Sequence, residues 1–597
     1  MGWRFARLGE YEEEKTTLPT SEILRRLAPL LSPYKRLMAF LLVVTGLRLA
    51  LSLAIPLVMG WLVDAALLKD ASSLLTYTLA FLAVICGYWA VGYARVYYIS
   101  LLGQSFVRDL REKLVNALLR AKLARLRKEE VGWLLSRVMN DVDTIGGTFT
   151  SGLIDTAADL VTLVGAFIVM ASLSPLLTLT LLPLIPVIFV LNYRFATRAR
   201  RVFRKARKAI ARVTSKVEQE VSGAVVVRSF YSRRRRDEAE FRRISAEYAE
   251  TSVEGTKVIA SVGPVMTVIG AVGIAIILYI GGLLVEAGAI TIGVIVAFYG
   301  YLRMFFRPLE TLAVFFNSVQ SALAAAERVT TLLGIEKEDR GRGYRGEVLG
   351  VVEYNSVRFG YKENQPVVLD VSLRAEPGKI TAIVGPTGSG KSTLAKLLMR
   401  FYEPWKGSIT LDGRDVKDYD LGFLRRVVAY APQEPMIFSG TVMDNLRITR
   451  PEINEEEVER LARELGVLEI LRAIPGGLEG VVLEEGKNLS RGQRQIISLL
   501  RAILSKPRVL VLDEATSSVD VETELKIYEG IREVVERENI TLIVIAHRLM
   551  AVKIADKIYV MDKGQIVEEG VHKDLLSLGG LYSKLWKIQT IDDALIS

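Results

Sequence analysis

The sequence predicts a multidomain chain in which an all-α polytopic membrane domain is followed by an α/β domain. Two observations carry this prediction. The long apolar blocks all lie before about residue 315, and the rest of the chain mixes short apolar runs with Gly, Asp and Lys, as soluble α/β domains do. The chain has 597 residues, 50% of them apolar, and a chain of this length is too long to form one compact core. We therefore expect at least two domains.

Six blocks reach or exceed the roughly 20 apolar residues that cross a bilayer, and each predicts a membrane-spanning helix. They lie at approximately 36–66, 73–103, 148–172, 175–195, 256–284 and 290–315. The long charged stretches 104–147 and 196–255 are predicted to continue these helices into the cytoplasm, whereas the other connections are short. Because Lys and Arg concentrate in the long stretches, the positive-inside rule places those stretches and both termini in the cytoplasm.

The net charge of +10 admits a nucleic-acid partner as an alternative. Much of the excess, however, lies between the apolar blocks, as in the run 233–236, and basic loops of membrane proteins carry such an excess. The chain also shows no aromatic and basic binding module. We therefore expect a lipid bilayer around the first domain and no nucleic acid. The single cysteine, Cys86, excludes an intrachain disulfide framework.

Charged residues inside the predicted spans are candidates for function because they are costly in a membrane. Asp155 and Asp159 stand one helical turn apart in the third span, and Arg48 lies in the first. They are candidates for lining a polar substrate pathway, while an internal ion pair or a position near the water boundary explains them equally well. Asp64 lies near the outer end of the first span, and the sequence suggests no role for it.

The second domain contains a phosphate-binding loop. From Lys379 the sequence reads KITAIVGPTGSGKSTLAKLLMRF, which is an apolar strand, a Gly-rich turn and an amphipathic helix, and it fits G-x-x-x-x-G-K-[ST] at 385–392. The glycines let backbone amides approach phosphates, the lysine reaches the terminal phosphates and the serine can bind Mg²⁺. The predicted ATP-binding residues here are Gly385, Pro386, Thr387, Gly388, Ser389, Gly390, Lys391, Ser392 and Thr393.

Two further strands end in residues suited to phosphate chemistry. The strand 509–512 ends in Asp513 and Glu514. Beside a phosphate loop, Asp513 is suited to hold Mg²⁺ and Glu514 to deprotonate the attacking water, although alone such a pair is often only a solvated strand end. The strand 542–545 leads to His547, one of two histidines in the chain and a candidate for contacting the γ-phosphate.

These residues resemble the ATP-binding cassette (ABC) transporter family. The resemblance is most specific at the signature run Asn-Leu-Ser-Arg-Gly-Gln-Arg-Gln at 488–495, upstream of Asp513. Arg491 replaces the usual second residue of the serine-glycine-glycine core, while Ser490, Gly492 and Gln493 are in place. In this family two cassettes pack head to tail, so the resemblance implies that Ser490 to Gln493 contact ATP bound to the partner chain.

The other family elements follow in order and carry further expectations. Tyr361 looks like the aromatic residue that stacks on adenine, Gln433 like the glutamine that contacts Mg²⁺ and the attacking water, and His547 like the switch histidine. Asp520 closes the loop after Glu514. The resemblance thus implies a catalytic set of Glu514, His547 and Gln433, and a metal set of Ser392, Gln433 and Asp513.

The membrane half resembles the exporter type of this family, with six spans first and the cassette last. The segment 336–350, rich in charged residues and Gly, is the predicted linker between a membrane domain at 1–335 and a cassette at 351–597. The segment 132–137 with Asp141 and Asp143 looks like the first coupling loop and 223–230 like the second. One departure is that Arg125 and Leu126 stand where many exporters have paired aromatics.

The implied function is ATP-driven export of a hydrophobic or amphipathic compound, such as a drug, lipid or peptide, across the cytoplasmic membrane by a dimer of half-transporters. The complete catalytic set favours a homodimer and also suits the active member of a heterodimer with a degenerate partner.

Three alternatives stay open. A soluble cassette ATPase acting on DNA or ribosomes shares the ATP motifs, but the apolar spans oppose it. An ATP-gated channel or regulatory subunit would conduct ions without substrate. An importer would differ in the direction of ATP-driven uptake into inside-out vesicles.

Overall fold

The computed structural model describes residues 18–516, 521–546 and 552–596. It divides into two compact units, Met1–Arg120 with Glu129–Ile335, and Ala121–Lys128 with Glu336–Ser597. The first unit is helical and the second contains the β-sheets, which confirms the predicted fold class. The expected domain boundaries remain a prediction.

Long helices dominate the first unit. In an apolar environment every backbone N–H and C=O must find its partner within the segment, and a helix achieves this. The α-helices are α1 (Thr20–Leu31), α2 (Lys35–Leu67), α3 (Ala71–Leu119), α5 (Val131–Ser136), α6 (Val142–Gly146), α7 (Leu153–Leu173), α8 (Pro175–Leu181), α9 (Leu184–Ser222), α10 (Ala224–Ser229), α11 (Tyr231–Glu286) and α12 (Ile292–Leu333). Two π-helical turns, Arg137–Asp141 and Gly147–Gly152, flank α6.

Five helical stretches of the described chain are long and apolar enough to cross a membrane. They are Thr20–Leu67, Ala71–Leu119, Val131–Leu173, Pro175–Ser222 and Arg235–Glu286. A shorter apolar stretch, Ile292–Met304, opens α12 where the sixth span is predicted. Length and composition therefore support a polytopic membrane domain.

The polar continuations of α9 and α11 are joined by a buried ammonium group. Lys216 of α9 donates hydrogen bonds to Asp237 at 2.8 Å and Glu240 at 2.9 Å on α11, and lies 3.1 Å from Glu220. The side chains of Lys216 and Asp237 are 8% and 9% exposed. The hydrogen bond to Asp237, above all, raises the pKa of Lys216, so the charged form is retained despite burial. This cluster fixes the two helices side by side.

Asp64 has a clear structural role that the sequence did not reveal. Its carboxylate accepts a hydrogen bond from the Thr291 hydroxyl at 2.6 Å and another from the Gly293 backbone N–H at 2.7 Å. Gly293 lies in the first turn of α12, where backbone N–H groups lack helical partners and carry partial positive charge. The end of α2 thereby caps the beginning of α12.

The second unit is built around a six-stranded, mostly parallel sheet in the order β12-β11-β3-β10-β9-β6. A four-stranded antiparallel sheet, β2-β1-β4-β5, and a two-stranded sheet, β7-β8, accompany it. The strands are β1 (Val352–Phe359), β2 (Val368–Ala375), β3 (Ile380–Val384), β4 (Lys406–Leu411), β5 (Arg414–Asp415), β6 (Val428–Ala431), β7 (Gly440–Thr441), β8 (Val481–Val482), β9 (Val509–Asp513), β10 (Thr541–Ile545), β11 (Lys557–Asp562) and β12 (Gln565–Gly570).

Helices cover the parallel sheet because both of its faces are apolar. Leu510 and Leu512 of β9 pack into one core, and Val509 and Val511 pack into the other, as alternation along a strand requires. The α-helices of this unit are α4 (Leu123–Leu126), α13 (Lys391–Leu398), α14 (Leu421–Val427), α15 (Val442–Arg447), α16 (Glu455–Glu464), α17 (Leu468–Arg472), α18 (Arg491–Leu504), α19 (Val521–Glu538), α20 (His572–Ser577) and α21 (Leu581–Ile596).

The short segment 121–128, which contains α4, belongs to the second unit. The Lys122 backbone N–H donates to the Glu336 carbonyl at 2.9 Å, and the two side chains pair at 2.5 Å. Arg125, one of the residues that replace the aromatic pair, lies 3.9 Å from the same carboxylate. Within the expected linker, Glu338 pairs with Arg425 at 2.8 Å. A backbone hydrogen bond and ion pairs to Glu336 therefore attach the segment 121–128 to the second unit, although Arg125 and Leu126 replace the aromatic pair.

The Lys216 cluster yields a stability prediction. Lys216→Met should lower the local stability of the α9–α11 pair by about 3–5 kcal/mol, because it removes the buried ammonium group that three carboxylates share. Thermal unfolding of the purified protein and limited proteolysis of this helix pair measure the effect.

The matched control is Arg212→Met on the same two helices. Arg212 pairs with Glu247 at 2.5 Å, but both side chains are about half exposed. That pair should contribute at most about 1 kcal/mol. Equal losses in the two variants would contradict a special role for the buried cluster.

Candidate functional site

The predicted site residues meet at one edge of the parallel sheet. Strands β3, β10, β9 and β6 are neighbours and run parallel, so their carboxyl ends lie together. The phosphate loop follows β3, Asp513 ends β9 and Gln433 follows β6. This edge is where α/β sheets of this kind bind ligands.

The phosphate loop depends on glycine at two crowded positions. Gly385 has φ +150° and Gly390 has φ +101°, a region that side chains other than glycine rarely adopt. A Cβ atom on Gly385 would lie 2.0 Å from the Met561 carbonyl oxygen, and one on Gly390 would lie 2.8 Å from the Val367 carbonyl oxygen. The loop is therefore held tightly against β11 and the start of β2.

Lys391 occupies the mouth of this loop. Its ammonium group donates to the carbonyl oxygens of Gly385 at 2.8 Å and Pro386 at 3.0 Å. Burial lowers the pKa of Lys391, and the charges of Glu514 and Asp513 partly offset that effect. A buried ammonium group beside a glycine-rich loop is suited to attract a phosphate group.

Ser392 and Asp513 form the predicted metal pair. The Ser392 hydroxyl donates to Asp513 Oδ1 at 2.9 Å, and the Tyr430 hydroxyl donates to Asp513 Oδ2 at 2.9 Å. Asp513 is only 2% exposed, and this burial raises its pKa, while the two hydrogen bonds act in the opposite direction. A hydroxyl and a carboxylate oxygen are the hard ligands that Mg²⁺ prefers.

Glu514 extends beyond the strand toward Gln433. The Gln433 side-chain amide donates to Glu514 Oε2 at 2.5 Å, and the backbone carbonyl of Glu514 accepts from Gln495 of α18 at 3.3 Å. Glu514 has φ +52°, an uncommon conformation for a residue with a side chain. The backbone thus turns sharply after Asp513, so that the two neighbouring carboxylates meet different partners, Tyr430 and Gln433.

Tyr361 lies in an aromatic cluster near the loop. Its ring meets Phe359 and Tyr402 edge to face at centroid distances of 5.2 and 5.1 Å, and its hydroxyl lies 3.1 Å from the Thr393 hydroxyl. The residue is still 43% exposed, so it keeps surface on which a base can stack.

The signature residues form the beginning of α18. Ser490 and Gln493 cap it reciprocally: the Gln493 N–H donates to the Ser490 hydroxyl at 3.2 Å, and the Ser490 N–H donates to Gln493 Oε1 at 2.9 Å. Ser490 and Arg491 are exposed. Within the described residues, the hydrogen bonds of Ser490 and Gln493 stay inside this turn and do not reach the phosphate loop.

The structure thus brings together five predicted residues, which are Lys391, Ser392, Gln433, Asp513 and Glu514. Their catalytic and metal-binding roles remain predictions. His547 and Asp520 lie outside the described residues.

Sequence reasoning missed two side chains at this edge, Tyr430 and Gln495. A hydroxyl in the otherwise apolar strand Val428–Ala431, next to β9, was the available indication for Tyr430. Gln495 is part of the signature run, but its contact with Glu514 follows only from the fold.

Charged groups within the apolar helices are partly paired. Arg95, which the sequence analysis did not single out, donates to Asp155 of α7 and to the Thr45 hydroxyl of α2, the latter at 3.3 Å. Of the three interpretations of Asp155, this contact favours the internal ion pair. Arg48 donates to the Tyr88 hydroxyl at 3.0 Å, and its guanidinium lies 4.9 Å from the centre of that ring.

The residues at the sheet edge fit a nucleotide with Mg²⁺. The glycine cradle leaves no room for a Cβ atom at Gly385, and the buried Ser389 hydroxyl has no hydrogen-bond partner among the described residues. A phosphate oxygen would satisfy that hydroxyl, and Ser392 with Asp513 supplies oxygen ligands for the metal.

Comparisons with known proteins agree with both units. The family described as "ABC transporter transmembrane region" matches residues 37–309, and the family described as "ABC transporter" matches residues 368–517. An uncharacterized ABC transporter ATP-binding protein of Bacillus subtilis strain 168 is 34% identical, over 94% of each chain.

Two further similarities extend these matches. A protein of Mycobacterium bovis named "Fatty acid ABC transporter ATP-binding/permease protein" is 35% identical over 83% of this chain and 78% of its own length. The solved structure of a bacterial Atm1-family ABC exporter with ATP bound matches with a TM-score of 0.74 at 25% identity, over 93% of this chain and 98% of that chain.

The crowding at Gly385 yields a testable prediction. Gly385→Ala should weaken ATP binding by at least about tenfold, because the added methyl group collides with the Met561 carbonyl and must displace the loop. Equilibrium binding of a fluorescent ATP analogue measures this change.

Gly413→Ala is the matched control, since Gly413 also has a positive φ (+73°) but open space around its Cβ position. It should lower stability by about 1–2 kcal/mol and leave nucleotide binding intact. If both variants bind the analogue equally well, the close contact between Gly385 and the Met561 carbonyl is not required for nucleotide binding.

Proposed function

The chain belongs to the ABC transporter family and is an ATP-hydrolysing exporter, and on that premise we propose that two half-transporters pair to move amphipathic or hydrophobic compounds outward across the cytoplasmic membrane. The observation that carries this proposal is the cluster of Lys391, Ser392, Asp513, Gln433 and Glu514 at one sheet edge, in a chain that also has long apolar helices. The cluster would bind and hydrolyse ATP, and the helices would cross the membrane through which the compound moves.

Each residue of the cluster has a distinct part in the proposed hydrolysis. Lys391, which is buried beside the phosphate loop, holds the terminal phosphates. Ser392 and Asp513 would hold Mg²⁺, which would neutralise charge on the phosphate oxygens. Gln433 orients the attacking water, and Glu514 Oε2 accepts its proton. His547 contacts the γ-phosphate, as the family resemblance implies.

The exposed beginning of α18 supports a composite site shared by two chains. A helix N-terminus presents unpaired backbone N–H groups and partial positive charge, which favour a phosphate group. Ser490 and Arg491 lie on the surface, and the hydrogen bonds of this turn do not involve its own phosphate loop in the described residues. A second chain in head-to-tail contact would supply the ATP. We favour a homodimer, because this chain carries every residue of the predicted catalytic set.

Polar groups within the apolar helices support an amphipathic cargo. The Arg95–Asp155 pair and the Arg48–Tyr88 contact join α2, α3 and α7 inside predicted spans. The Asp155 side chain is 54% exposed and so remains accessible, whereas the Arg95 side chain is only 8% exposed. Charged groups in membrane spans are costly, which makes them candidates for substrate binding or transport. A fatty acid, which the M. bovis relative is named for, has one charged end and one apolar end.

Movement of the transported compound would follow from the closing and opening of the two cassettes. ATP bound between Lys391 of one chain and the signature turn of the other holds the pair closed, and hydrolysis removes the contacts to the terminal phosphate. The membrane helices then alternate between two rigid-body arrangements. The long helices α3, α9 and α11 extend beyond their apolar portions and are suited to transmit such a movement; α11 has 56 residues, about 84 Å.

The first test is hydrolysis by this chain alone in lipid vesicles. The wild type should show Mg²⁺-dependent ATP hydrolysis, and Glu514→Gln should reduce it by at least about 100-fold, because the base is lost. Glu522→Gln, an exposed glutamate on α19, is the matched control and should keep the activity. A folded but inactive wild type would refute the homodimer and require a different partner chain.

Mixing two inactive variants tests the shared site. Lys391→Ala removes the phosphate contact, and Gly492→Asp places a carboxylate at the beginning of α18, where it favours the helix but repels phosphate. In a mixed dimer, one site combines the intact Lys391 of one chain with the intact signature turn of the other.

Hydrolysis should therefore return in vesicles that contain both variants and stay absent in vesicles that contain either one. Two affinity tags verify that mixed dimers form. Continued inactivity of verified mixed dimers would count against a composite site.

A further inference from the structure

Tyr430 is the second group that holds the buried Asp513 carboxylate. Ser392 donates to Oδ1 at 2.9 Å, and Tyr430 donates to Oδ2, also at 2.9 Å. Among the described residues, no other side chain donates a hydrogen bond to this carboxylate. The two hydroxyls bind opposite oxygens, so together they fix the plane of the carboxylate.

The fold places Tyr430 firmly. It lies in β6, which pairs in parallel with β9, and it is the register partner of Val511, two residues before Asp513. The phenol packs against the apolar core on that side of the sheet. A carboxylate oxygen only accepts here, so the Tyr430 hydroxyl is the donor of this hydrogen bond. Gln433 follows three residues later, so one short segment supports both Asp513 and Glu514.

The two hydroxyls differ in what metal binding would do to them. Ser392 is a predicted ligand, so its oxygen would turn from Asp513 toward Mg²⁺. Tyr430 donates to the other oxygen, Oδ2, and could keep its hydrogen bond when the metal binds. We propose that Tyr430 is a positioning residue that holds Asp513 in the orientation required for Mg²⁺ when Ser392 becomes a ligand. This inference rests on the proposed assignment of Asp513 to the metal.

The test compares nucleotide binding with and without Mg²⁺. In the Glu514→Gln background, the affinity for the non-hydrolysable analogue AMP-PNP is measured in Mg²⁺ and in EDTA. By linkage, the ratio of the two affinities reports how strongly the loaded site holds the metal. Tyr430→Phe should lower this ratio by about tenfold, the size expected for losing one hydrogen bond to a charged group, and leave the affinity in EDTA unchanged.

Tyr419→Phe is the matched control. Tyr419 is also buried, and its hydroxyl donates to the Leu411 carbonyl at 2.8 Å, within the antiparallel part of the cassette. This variant loses a buried hydrogen bond of similar length but should keep the wild-type ratio. With Glu514 restored, Tyr430→Phe should also need about tenfold more Mg²⁺ for half-maximal hydrolysis, and the control should not.

The other outcomes separate the two proposals. An unchanged ratio in Tyr430→Phe, or equal losses in Mg²⁺ and EDTA, would overturn the positioning role and leave Tyr430 as a packing residue. A ratio that also falls in Tyr419→Phe would show a general loss of cassette stability instead. If binding by the parent protein does not depend on Mg²⁺, the proposed metal role of Asp513 itself fails.

Discussion

Parallel pairing of β3, β10, β9 and β6 is the constraint on which the site depends. Parallel strands end on the same side, so the loop after β3, the carboxylates after β9 and the glutamine after β6 meet although they are far apart in sequence. The register is exact enough that Ser392 and Tyr430 both reach Asp513 within 2.9 Å. A shift of one residue in β9 would turn Asp513 to the opposite face of the sheet.

Burial of charge with nearby partners recurs in both units. In the cassette, Lys391 and Asp513 are buried with opposite charges or hydroxyl donors close by. In the first unit, Lys216 is enclosed by carboxylates, and Arg95 holds Asp155. Low dielectric makes an uncompensated charge costly, so each of these groups is placed by its partners. The same cost leaves the buried Lys391 ready to gain from a phosphate, which water would otherwise screen.

Several features could be read from local sequence. The phosphate loop, the apolar strand before Asp513 and Glu514, and the signature turn each depend on a short run of residues, because glycine conformation, strand alternation and helix capping are local properties. Apolar block length likewise predicted long membrane helices. The resemblance to ABC transporters then gave those local elements their expected roles.

Long-range contacts explain what the sequence left open. Nothing in the run around Tyr430 reveals that its hydroxyl meets Asp513, since that contact exists only once β6 pairs with β9. Similarly, Asp64 became a helix cap because α12 begins beside it, and Asp155 became an ion pair because Arg95 of another helix faces it. By itself, then, the sequence determined the elements and the family, because these follow from patterns along the chain. The tertiary structure alone decided which distant polar groups pair, because pairing depends on how the elements pack.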